Sequence, residues 1–202
     1  MVRRRKKETT VEEDLEKKKK SSYPIGDVIY NSRKDYTYFL KLELMKNDGL
    51  IESFDPSSLY FVENAVETKY MAKKIIINEQ KLDSRLEADY YLYLLQLKKE
   101  GTIVDFDLKP VFTLQPPFVK NGVKFSAIKY IADFSVSYPN GDIEIIDTKG
   151  IITADFALKK KIFEYNFPTL HLRILKFVQG MGGWIEHDEW KKLTKLKTKN
   201  KK

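Results

Sequence analysis

Apolar residues recur at helical spacing in Leu86, Tyr90, Tyr91, Leu94, Leu95 and Leu97, between Ser84, which suits an N-cap, and Gly101, which suits a helix stop. Ile103–Leu114 then reads as extended strand interrupted near Pro110. Further along, the period changes from 3.6 to two. Ile128, Tyr130, Ala132, Phe134 and Val136 alternate within one predicted strand, Val123–Tyr138, introduced by an Asn121-Gly122 hairpin turn. Tyr138-Pro139-Asn140-Gly141 turns the chain into a partner strand, Asp142–Asp147. Thr153–Phe167 reads as a helix stopped by Pro168, and Leu170–Val178 as a strand. Gly180, Gly182 and Gly183 read as a loop, and His187–Leu196 as a short last helix. The order helix, strand, long hairpin, helix, strand predicts an α/β fold around a mixed sheet.

The chain also resembles itself. Shifted by 52 places, Tyr30–Pro56 lies over Leu82–Leu108 without gaps, and ten of the 27 positions are identical. Chance would give about two at ordinary residue frequencies. The shared residues include Ser32-Arg33 over Ser84-Arg85, Gly49 over Gly101 and Phe54-Asp55 over Phe106-Asp107. Each copy reads as a helix followed by a strand, with the first copy truncated. Four segments result: a basic disordered tail at 1–22, a truncated duplicate helix–strand unit at 23–78, a main domain at 79–190 and a lysine-rich tail at 191–202.

Composition narrows the chemistry. With no cysteine there are no disulfides or thiolate metal sites, which suits a reducing cytoplasm, and with only His171 and His187 a histidine-built metal site is nearly excluded. Any metal must be held by oxygen, which points to Mg²⁺ or Mn²⁺. No apolar run approaches the length of a membrane span, and no signal peptide follows the basic start. The net charge of +8 is concentrated at the ends. A surplus of four in residues 1–20 and seven lysines in 191–202 leave residues 21–190 at −3. Basic tails beside a slightly acidic globule suit a polyanion such as DNA, or serve solubility alone.

Six acid-x-lysine pairs occur: Glu16/Lys18, Glu67/Lys69, Glu79/Lys81, Asp107/Lys109, Asp147/Lys149 and Glu189/Lys191. Only Asp147/Lys149 closes an apolar strand run and precedes a glycine, and residues two apart in a strand share a face. Across the turn at 139–141, Asp133 comes close to lying opposite Asp147. Two carboxylates and a lysine in one patch call for a divalent cation as compensation. Glu87, third after Ser84, has two readings: a capping-box partner, or a member of the same site. Lys159, Lys160 and Lys161 either contact a phosphate backbone or form a solvated face. Tyr90, Tyr91 and Tyr93 read as core rather than as a base-stacking platform, and His187-Asp188 as surface.

Ser-Arg-x-Glu opening a helix, Asp133 in a strand and Asp147-Thr148-Lys149 in the adjacent strand resemble the PD-(D/E)XK nuclease superfamily. The closer resemblance is to small phage-encoded proteins that look like Holliday-junction resolvases and transposon end-cutting nucleases. It rests on Asp83–Gly101, Ile128–Phe134, Ile146–Gly150 and Phe156–Pro168, and covers about residues 79–178. It implies a restriction-endonuclease-like core and a metal-dependent DNA endonuclease acting on branched or structured DNA in phage replication or recombination. It also implies Glu87, Asp133, Asp147 and the Thr148 carbonyl as metal ligands, with Lys149 as the catalytic lysine. Thr148 stands where an apolar residue is usual. A homodimer is compatible with this reading. The alternatives are a restriction-like or strand-end nuclease, and a non-catalytic DNA-binding or assembly protein on a nuclease scaffold.

Overall fold

The computed structural model describes residues 23–25, 28–30, 32–59, 74–181 and 183–199. The expected tail at 1–22 lies outside them. The chain divides into two compact units, Met1–Arg85 and Leu86–Lys202.

Among its described residues, the first unit holds two small hairpins, a helix and a 3₁₀ turn at Pro56–Leu59. Strands β1 (Tyr23–Ile25) and β2 (Val28–Tyr30) pair antiparallel, helix α1 spans Arg33–Asn47, and β3 (Ile75–Ile77) pairs with β4 (Gln80–Leu82). Ser32 caps α1, its hydroxyl accepting from the Lys34 N–H at 3.2 Å. Tyr38, Phe39, Leu42, Ile51 and Leu59 are buried.

The duplication is visible in backbone detail. Helix α2 (Arg85–Lys99) reproduces α1 residue for residue at an offset of 52. Both helices end in the same way. Gly49 N–H donates to the Lys46 carbonyl and Leu50 N–H to Met45, while Gly101 N–H donates to Lys98 and Thr102 N–H to Leu97. This closure, with a left-handed residue after the helix, requires glycine: φ is 69° at Gly49 and 75° at Gly101. The hairpins repeat too, Tyr23↔Tyr30 matching Ile75↔Leu82 at the same offset. The repeating unit is therefore hairpin plus helix, longer at its start than the helix–strand unit of the sequence alignment. After α1, the expected strand shrinks to one bridge, Phe54↔Ile77, whereas its counterpart Phe106 lies in a full strand.

The second unit is a mixed α/β arrangement on a five-stranded sheet. Strand order is β13 (Gly183–Glu186), β12 (His171–Val178), β11 (Ile143–Thr148), β10 (Phe134–Ser137), β5 (Asp105–Leu108). Only β11 and β12 run parallel, joined by the crossover helix α3 (Ala154–Asn166), which Thr153 caps. On one side of the sheet, Phe156 and Phe163 of α3 pack with Tyr130, Ala132, Ile145, Leu172 and Ile174. On the other, Tyr90 of α2 stands 5.4 Å from Phe134 and 4.8 Å from Trp184, ring to ring. Tyr90 and Tyr91 are core, as expected, and Tyr93 is exposed.

Four expectations need correcting. The single strand Val123–Tyr138 is three: β8 (Val123–Phe125), paired with β7 (Phe118–Lys120); β9 (Ile128–Ile131), paired with β6 (Val111–Gln115); and β10. The chain leaves one sheet and enters another at Ala132-Asp133, which alternation alone does not reveal. Gly183 opens strand β13 rather than completing a loop, because the edge of β12 offers backbone partners as far as Val178↔Gly183. The last helix, expected over His187–Leu196, runs on through Lys199 in α4 (His187–Lys199), into the segment read as a lysine-rich tail. Trp190 anchors it, with Lys176 Nζ 3.9 Å from its ring centroid. His187 is buried rather than surface, against Trp190, and burial lowers its pKa below the ordinary value.

Candidate active site

The site forms where β10 begins and β11 ends. The ladder keeps Phe134↔Ile146, so Asp133 and Asp147 occupy the next positions along it. There the register slips: Asp133 N–H donates to the Ile146 carbonyl at 3.1 Å, one residue out of step, as at a bulge. The slip re-aims Asp133. Its Oδ2 accepts from both the amide and the hydroxyl of Thr148, each at 2.8 Å. Thr148, expected from the resemblance to offer its carbonyl, thus also fixes Asp133 through its amide and hydroxyl.

Asp147 is fully buried and held on both oxygens. Tyr130 Oη donates to Oδ2 at 2.6 Å, and Lys149 Nζ lies 2.8 Å from Oδ1. Burial raises the Asp147 pKa, the Asp133 charge raises it further, and Lys149 and Tyr130 oppose the rise. Burial, then Asp147, pushes the Tyr130 phenol above its ordinary value, so it remains a donor. Beside Asp147 opens a cavity of about 470 Å³ whose lining includes Lys129, Tyr130, Lys149, Phe156 and Lys159. Lys149 sits 5.4 Å from the Phe156 ring centroid.

Glu87, on the first turn of α2, is 2% exposed. Lys109 Nζ lies 2.6 Å from its Oε1 and 3.3 Å from Asp133 Oδ1, so one ammonium links the two carboxylates. Lys109 has φ 53°, a left-handed conformation uncommon for a side-chain-bearing residue. Its N–H donates to the Asp133 carbonyl at 2.9 Å.

The sequence-predicted residues therefore meet as two adjoining groups. Asp147 and Lys149 face the cavity with Tyr130; Glu87 and Asp133 face Lys109. Among the described residues, no three Asp, Glu or His side chains form a single group that could hold a metal ion. Of the three helix lysines, Lys159 lines the cavity and also pairs with Asp155 at 3.0 Å; Lys160 pairs with Glu164, and Lys161 is exposed. Sequence reasoning missed Lys109 and the polar role of Tyr130. Lys109 stood among the six acid-x-lysine pairs, but it does not close an apolar run. Tyr130 fitted the alternation of a core residue, which it also is.

A family model described as a protein of unknown function (DUF1064) matches residues 67–179, a span containing Glu87, Lys109, Asp133, Asp147, Lys149 and Lys159. No curated protein and no solved structure matches the chain. No helix among the described residues is long and apolar enough to cross a membrane.

Proposed function

The chain belongs to the DUF1064 family, and from the geometry of its site we propose that it is a metal-dependent DNA endonuclease of the PD-(D/E)XK type. The observation that carries this reading is a buried Asp147 with Lys149 two residues on, both lining a cavity, beside an Asp133 that is hydrogen-bonded into place. A fully buried carboxylate whose pKa is raised by burial and by a second carboxylate is a functional-site feature.

The donor set fits a hard cation. All candidate ligands are oxygens: the carboxylates of Asp147, Asp133 and Glu87, with the Thr148 carbonyl. Burial first, and then the Asp133 charge, raises the Asp147 pKa, and Lys149 and Tyr130 only partly oppose the rise. When bound, Mg²⁺ or Mn²⁺ would neutralise phosphate charge and favour hydroxide over water. The chain's own residues supply the remainder. Tyr130 fixes the Asp147 carboxylate, and Thr148 fixes that of Asp133. Lys149 and Lys159 line the cavity as cations suited to a phosphodiester and to the charge that develops on it. Branched or structured DNA is the substrate class we propose, and the exposed lysines of α4 suit its backbone. Lys109 between Glu87 and Asp133 favours a second reading, a DNA-binding protein on an inactive nuclease scaffold.

The test is cleavage of supercoiled plasmid, four-way junction and duplex DNA with Mg²⁺, Mn²⁺ or Ca²⁺. Wild type should cut with Mg²⁺ or Mn²⁺ and not with Ca²⁺. Asp147→Ala and Lys149→Ala should each lose at least about a thousandfold in rate while still binding DNA. Binding without cleavage in every metal would establish the scaffold reading. Cleavage by Asp147→Ala, or by wild type in excess chelator, would overturn the site as drawn.

A further inference from the structure

Glu87 and Asp133 come from different elements, a helix and a sheet strand's end, with side chains only 3% and 12% exposed. Two carboxylates so placed need a cation, or one must take up a proton. Lys109 supplies it: its ammonium lies 2.6 Å from one and 3.3 Å from the other. The residue is also tied to the site through its backbone, its N–H bonded to the Asp133 carbonyl. Its left-handed φ of 53° and the following Pro110 hold that backbone in one course. The Lys109 side chain is 32% exposed, and a four-carbon stem of that kind can swing to solvent without moving the main chain.

We propose that Lys109 is a resident counter-cation of the Glu87–Asp133 pair and competes with a divalent cation for those two carboxylates. The proposal takes the metal from the nuclease reading but concerns binding, not cleavage. An ammonium already within contact distance of both carboxylates excludes a doubly charged ion from the same oxygens, by charge and by volume. Divalent binding must therefore displace Lys109 outward. Lys109 then sets the affinity: with it in place the metal-free fold tolerates its buried acids, and the metal must overcome that pairing. The released ammonium would stand at the mouth of the site, where a phosphate could replace the two carboxylates as its partner.

Two measurements test this on the full chain without DNA. In calorimetric titration, Lys109→Gln should bind Mn²⁺ at least tenfold more tightly than wild type, and Lys109→Arg should stay near wild type. In chelator, Lys109→Gln should melt several degrees lower, and saturating Mn²⁺ should raise its Tm more than that of wild type. If Lys109→Gln fails to fold, wild type alone decides the matter. Labelling of Lys109 by an amine-reactive ester, read by mass spectrometry, should rise with Mn²⁺ along the binding curve. Unchanged or weaker Mn²⁺ affinity in Lys109→Gln, no Mn²⁺ binding by wild type, or labelling that is flat or falls with Mn²⁺ overturns the proposal. Release of Lys109 in a protein that cuts no DNA would sink the nuclease reading and leave this one standing. Cleavage without release would do the reverse.

Discussion

Asp147 shows how a single position can work against the metal-free fold. It has no exposed surface, and burial and Asp133 raise its pKa more than Lys149 and Tyr130 lower it. A folded-state pKa above the unfolded value means that the folded protein binds the proton more tightly. The stabilising contribution is then fully present below the ordinary carboxylate range and is lost as pH rises through the raised pKa. At neutral pH the Asp147 charge therefore weakens the metal-free protein. Asp147→Asn keeps the shape and the Tyr130 contact, and should raise Tm in chelator at pH 7 by about 2–4 °C, on the order of 1 kcal/mol. The gain should shrink as pH falls through the raised pKa of wild-type Asp147 toward the ordinary carboxylate range. Thermal melts across that range would check it. An Asp147→Asn protein that melts lower at every pH would show that the ion pair with Lys149 outweighs the burial cost.

At the scale of elements, the two copies of the hairpin–helix unit have diverged in what their first-turn acid does. Asp35 of α1 and Glu87 of α2 hold corresponding positions, and each is buried. Asp35 accepts from Arg85, whose guanidinium also lies 4.5 Å from the Tyr38 ring centroid, so its surroundings are those of a structural clamp. Glu87 instead shares Lys109 with Asp133. Asp35→Ala should accordingly destabilise the protein by about 1–2 kcal/mol, the cost of stripping a partly buried arginine of its partner. It should leave the DNA cleavage rate within about twofold of wild type, since rate losses of the kind Asp147→Ala produces require a group at the reacting centre. A cleavage loss approaching that of Asp147→Ala would place the first copy in the chemistry.

At the scale of the whole molecule, the described residues of α4 carry part of the basic surplus on an exposed face. The net charge is +8, and α4 exposes Lys191, Lys192 and Lys195. Under the proposed function, exposed lysines on a helix anchored by Trp190 would release counterions from DNA without being needed for the core. Replacing all three by glutamine should weaken duplex binding and reduce the slope of log K against log salt by up to about 2.7, roughly 0.9 for each phosphate no longer neutralised. Tm should remain near wild type. An unchanged slope would remove α4 from the DNA-binding surface.

What the sequence determined by itself was whatever depends on neighbours along the chain. Helical spacing, Thr153 and Pro168 gave α3 nearly to the residue, because caps and stops are local hydrogen-bonding events. The 52-residue offset gave two helices of identical bounds, because the same Ser-Arg start and glycine stop act in each. The hairpin turn at 139–141 made Asp133 and Asp147 neighbours, because antiparallel register follows from the turn. Tertiary structure decided the rest. Whether Val123–Tyr138 runs straight depends on which strands it pairs with, and it changes partners at Ala132-Asp133. Whether Gly183 turns or extends depends on a free edge of β12. The pairing of Lys109 with Glu87 and Asp133 joins residues 22 and 24 positions apart through a backbone φ of 53°. No periodicity encodes such a contact; it exists only once helix and sheet have packed and two buried carboxylates require a cation between them.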